Sequence, residues 1–207
     1  MKKVFFAAIA TISIAFTACS GNNDKSKKAE AMSGMQKDSP AATATSDDTD
    51  IKMVKATYSN VDPKVAASLK EVLGRYLQVK NSLANDNADE AARGAKSMSD
   101  ALAKVDKSLF TAEQKNAYDQ VEDDLKEHAE HIGKSRIDHQ REHFSMMSED
   151  VYSIAKTFGS GQPLYHDHCP MADGGKGAMW LSELKEIKNP YMGSKMQKCG
   201  TVEEKIQ

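Results

Sequence analysis

The amino-acid sequence predicts an all-α protein: an up-down four-helix bundle with an irregular Cys-, Met- and Gly-rich C-terminal tail packed on it. Three observations carry this. Between Asp62 and Phe158 apolar residues recur every three or four positions in four separate runs, the period of a helix face. The runs are joined by short stretches of capping and turn residues, which favour antiparallel neighbours. After Gly159 the period is lost, and Gly, Pro, Cys, Met and Trp cluster instead.

The first helix opens at Asp62-Pro63, an N-cap followed by the residue best tolerated at the first helical position. Val65, Leu69, Val72, Tyr76, Val79 and Leu83 form its stripe, and Asn85-Asp86-Asn87 ends it. Asn87 with Glu90 reads as the cap of the second helix. Its stripe of Ala88, Ala91, Ala95, Met98, Leu102 and Val105 is small enough for a close helix approach. Thr111 and Gln114 have capping-box spacing, Thr at the N-cap and Gln three residues on. The third helix then carries Tyr118, Val121, Leu125, His128 and Ile132 as far as Gly133. The fourth starts within Ser135 to Asp138, carries Ile137, Phe144, Met147, Val151, Ile154 and Phe158, and stops at Gly159. Residues 61–159 are thus the bundle. Residues 160–207 form the tail of the same domain, too short for a core of its own. Within it, Gly174-Gly175-Lys176-Gly177 reads as a tight turn, since the spacing of a phosphate-binding loop is missing.

The N-terminus is of another kind. Lys2 and Lys3 precede the apolar run Val4 to Phe16, then Thr17-Ala18-Cys19. A positive start, an apolar stretch shorter than the roughly 20 residues of a membrane span and small residues before a cysteine have the order of a secretory signal. Residues 1–18 are expected to be the signal peptide and Cys19 the lipid-bearing first residue of the mature chain. The expected location is therefore the cell envelope, anchored to membrane lipid at the periplasmic face or the outer membrane. Residues 19–60, rich in Ser, Asp, Lys, Thr and Ala, cannot bury enough apolar surface to offset chain entropy and read as a disordered tether.

The net charge of −2, with both signs interspersed, offers no basic patch for nucleic acid. No nucleophile-and-base constellation is visible, so no enzyme is expected. The candidate chemistry lies in metal ligands. His128 and His131 close the third helix, and His139 and His143 open the fourth at i, i+4. If the chain turns between Gly133 and Ser135, the two pairs face each other, as side chains of adjacent helices do in bundle metal sites. The tail holds a second set: Cys169 and Met171, then Met196 and Cys199. Thiolate and thioether donors select soft ions, Cu(I) first and zinc as the alternative. In an oxidising compartment the same cysteines can instead form a Cys169–Cys199 disulfide. Both readings stand on sequence alone.

The runs Cys169-Pro-Met-Ala, Gly177-Ala-Met-Trp-Leu-Ser, Glu186-Ile-Lys-Asn-Pro-Tyr-Met-Gly and Met196-Gln-Lys-Cys-Gly resemble a domain-of-unknown-function family. Tyr76-Leu-Gln-Val-Lys-Asn-Ser-Leu and His139-Gln-Arg-Glu-His-Phe are similar to the same family. It includes bacterial lipoproteins and extensions of the periplasmic adaptor subunits of heavy-metal efflux pumps. The resemblance implies copper or silver handling, by buffering or by delivery linked to efflux, with such an adaptor as partner. The alternative is a module without metal that docks on an efflux or envelope partner, its cysteines a structural disulfide.

Overall fold

The computed structural model describes residues 51–207, so the expected signal peptide, Cys19 and most of the expected tether lie outside the described residues. The four helices form where their stripes predict. They are α1 (Pro63–Ala84), α2 (Ala88–Leu102), α3 (Ala112–Lys134) and α4 (Ile137–Phe158). Asp62 accepts from the Lys64 N–H at 2.8 Å and Asn87 from the Glu90 N–H at 3.0 Å. Thr111 and Gln114 exchange both bonds of a capping box. Each helix packs on the next and α1 closes against α4. The small stripe of α2 does bring it close to α1: a Cβ added at Gly94 would stand 3.0 Å from the Val79 side chain. No helix among the described residues is long and apolar enough to cross a membrane.

The tail is not irregular, and the protein is not all-α. β2 (Leu164–Cys169), β3 (Ala178–Ser182) and β4 (Thr201–Ile206) join β1 (Lys52–Val54) in a mixed sheet of order β1-β4-β2-β3. β2 lies antiparallel to both its neighbours, and β1 runs parallel to β4. The expected tether is shorter than 19–60, because Lys52–Val54 belong to the sheet and the Thr57 and Tyr58 N–H groups bond to Lys156 and Thr157 O. The β2–β3 turn passes through Gly174, Gly175 and Gly177, all at positive φ. Gly177 holds a φ of +88°, which residues with a Cβ rarely adopt, and a Cβ there would also meet His168 Nε2 at 2.8 Å.

One hydroxyl ties the sheet to the bundle. Tyr76 of α1, fully buried, accepts from the Leu181 N–H of β3 at 3.0 Å and pairs with Ser148 of α4 at 2.8 Å. Trp180 and Leu181 of β3 are likewise fully buried in the core that the helices line.

That interface also encloses charge. Lys80 of α1, with no exposed surface, donates to Glu183 at 3.0 Å and to Ser182 at 3.3 Å. Asp167 of β2 is equally buried, and neither its oxygens nor the Trp180 indole N–H across the ladder completes a hydrogen bond. Burial lowers the Lys80 pKa against the pull of Glu183. Burial pushes Asp167 up to about 8, with Lys80 opposing. The folded protein therefore holds a proton on Asp167 that the unfolded chain, at the ordinary 3.8, releases. This contribution to stability is complete below pH 3.8 and is lost as pH rises towards 8. Asp167→Asn, neutral at every pH, is expected to melt higher than wild type at pH 8 and to converge with it below pH 4. A gap independent of pH in thermal melts would contradict the assignment.

Candidate metal centre

The α3–α4 turn is fixed by two side chains that sequence spacing did not single out. Gln140, fully buried, donates to Ile132 O and to Ala88 O, both at 3.0 Å, locking the first turn of α4 to α3 and α2. Arg141 donates to Pro190 O at 2.8 Å, Leu83 O at 3.0 Å and Asp86 at 2.6 Å. Contacts with Ser194 and Arg141 hold the Asp86 carboxyl far below the usual carboxylate range. An amide on a helix carries no periodic signal, so only its burial reveals Gln140 as a support.

On this frame the four histidines converge as the hairpin predicts. His131, His139 and His143 offer ring nitrogens that all lie within 4.8 Å of one another. The His131 and His143 rings stack at 4.1 Å, and His139 meets His143 edge-on at 4.6 Å. His143 is nearly buried, while the His131 and His139 side chains are almost half exposed. The fourth ring, His128, touches His143 through Nδ1 atoms 3.1 Å apart and stands outside the trio. Burial, then the neighbouring His131, His139 and His128, lower the His143 pKa. Burial lowers that of His128 too, against Asp124 and Glu127. Both shifts favour the neutral ring, the form in which imidazole donates to a metal. Glu142 bonds His139 Nδ1 at 2.9 Å, which leaves His139 Nε2 free as a donor. Such carboxylate partners orient metal-binding histidines.

The soft-donor set of the tail is not assembled in the same way. Met171 and Met196 are 52% and 42% exposed. Cys169, buried at the end of β2, and Cys199, just before β4, are free thiols with sulfurs 2.6 Å apart. That spacing is nearer to the roughly 2.05 Å of a disulfide than to the roughly 3.7 Å between two sulfurs on one tetrahedral ion. The Cys169 contact and burial push the Cys199 thiol up to about 11. The cysteines also lie outside the histidine group. The tail does run back along α4, where Asp173, Gly174 and Tyr191 line a shallow cavity of about 290 Å³ with Asp138, Arg141 and Ser145. A disulfide here would close a loop of about 30 residues, worth roughly 3–4 kcal/mol. In oxidised protein, thiol titration after denaturation is expected to find neither Cys169 nor Cys199, and Cys199→Ser to lower stability by that amount. Two titratable thiols would refute it.

No curated protein and no solved structure matches the chain. One family model matches, over less than half of the sequence, from α1 through α4 to the approach of β2. The chain is thus similar over residues 72–163, which hold all four histidines, to the family described as protein of unknown function (DUF3347).

Proposed function

We propose that this protein binds a metal ion through His131, His139 and His143, as an extracytoplasmic lipoprotein anchored through Cys19 and linked to heavy-metal efflux. The single observation that supports it most is the convergence of three imidazoles from two helices within 4.8 Å. Copper is the favoured ion and zinc the alternative, since imidazole suits both and copper(II) binds such donors more tightly. With the thioethers exposed and the thiols paired, the donors that converge are nitrogen, which favours copper(II) over copper(I). The role is buffering or delivery rather than catalysis, and its efflux link rests on the resemblance of the sequence motifs. The closeness of Cys169 and Cys199 favours giving them the structural part foreseen in the adaptor reading. They then stabilise the sheet while the histidines bind.

Titration of the purified protein with copper(II) and zinc(II) against a competing chelator is expected to give one ion per chain. Affinity should fall as the solution is made acid, as protons compete for the imidazoles. Replacing His131 and His139 together by Ala should abolish it. Wild-type protein that binds neither ion better than the double variant would overturn the proposal.

A further inference from the structure

We infer that His128 is a positioning residue that fixes which nitrogen His143 turns to the ion. This rests on the metal-binding reading above. Three facts lead to it. His128 is the one histidine of the four outside the trio. Its Nδ1 lies 3.1 Å from His143 Nδ1, a hydrogen-bond distance, with the ring planes tilted by 51°. Two ring nitrogens can share one such bond only if one ring carries the proton and the other lacks it. Whichever ring donates, His143 Nδ1 is taken by His128, so Nε2 is the nitrogen left to turn to the ion. A His143 ready for an ion needs His128 to accept at Nδ1 and to carry its own proton at Nε2. His143 then donates through Nδ1–H, and its Nε2 is deprotonated and free.

This is the relation that Glu142 has to His139, with a neutral imidazole in place of the carboxylate. It matters most at His143, because that ring is buried and touches the other three. Imidazole in water prefers the Nε2–H tautomer, which would present a proton to the ion. His128 reverses the preference before any ion arrives. The trio thus supplies three nitrogens, with His131 and His139 on its exposed side. That arrangement suits a borderline divalent ion with a solvent or exchangeable ligand.

The test compares full-length wild type with His128→Asn, whose amide oxygen can replace Nδ1 as acceptor, and His128→Ala, which has none. In metal-free protein the ¹⁵N shifts of His143 should report the Nδ1–H tautomer in wild type and His128→Asn. A shift towards Nε2–H is expected in His128→Ala. Copper(II) affinity should fall about 10–100-fold in His128→Ala, the usual cost of losing an outer partner, and only a few-fold in His128→Asn. The copper(II) electron-spin spectrum should show the same nitrogen number in all three. An Nε2–H tautomer in the wild type overturns the inference. So does equal loss in both variants with one nitrogen fewer, which would make His128 a ligand. Tautomers as expected with no copper bound by the wild type would instead defeat the metal-binding reading alone.

Discussion

His143→Ala is expected to weaken copper(II) binding by more than about 100-fold, beyond the range that loss of an outer partner produces. His143 is the member of the trio that contacts every other ring. Without it, His131 and His139 remain as two exposed donors with ring centres 5.8 Å apart, and nothing buried holds an ion between them. The hairpin itself should survive, because Gln140 and Arg141 fix it through backbone carbonyls independently of the histidines. The loss should therefore appear in competition titrations while the far-ultraviolet dichroism stays unchanged. The variant should also resist acid better. A folded-state pKa depressed by burial and by three imidazoles makes the native protein refuse a proton that the unfolded chain accepts near pH 6.5. Stability is then lost as pH falls below that value. Affinity within a few-fold of wild type would remove His143 from the site.

Trp180→Ala is expected to cost about 3–5 kcal/mol, the range for emptying a buried large aromatic site. For a domain of this size that is a fall in Tm on the order of 10 °C. Trp180 is among the largest fully buried side chains, edge-on to Tyr191 at 5.9 Å. It is packed so tightly that a Cβ on Gly200 would stand 2.9 Å from its ring. The shape of the melt is as informative as its midpoint. Tyr76 and Ser148 join β3 to two helices, so sheet and bundle should unfold in one transition. An appended tail would instead melt apart and leave the bundle's midpoint where it was.

The helices were legible because each has a single stripe and the first three have a cap, whereas α4 starts at Arg136 without a side-chain cap bond. Asp62, Asn87 and Thr111 cap as their types and spacing indicate. The sheet was hidden for three physical reasons. β4, Thr201–Ile206, is mostly polar and reads as solvated chain. β2 changes register between His166 and Asp167, which breaks its alternation and buries an aspartate where a strand pattern expects an apolar residue. β1 finds its partner at the other end of the sequence, at Lys52↔Glu204, where no local signal reaches. At the site, the i, i+4 histidines mirrored across a short turn were enough to predict convergence. The place of His128 outside the trio was not, since it follows from distances that spacing does not set. Of the expected soft donors, Met171 and Met196 stand exposed, and Cys169 and Cys199 lie side by side.

The parallel pairing of β1 with β4 also gives the domain two unlike poles. The chain enters beside the last turns of α4, where Thr57 and Tyr58 bond to Lys156 and Thr157. His139 and His143 open the same helix at its other end. At 1.5 Å per residue, His139 and Lys156 are about 25 Å apart along the axis. A resin or antibody that grips the chain just ahead of residue 51 would thus hold the blunt pole and leave the imidazoles presented to solution. The proposed binding of an ion can then be tested on the immobilised protein, with the histidine pole left free.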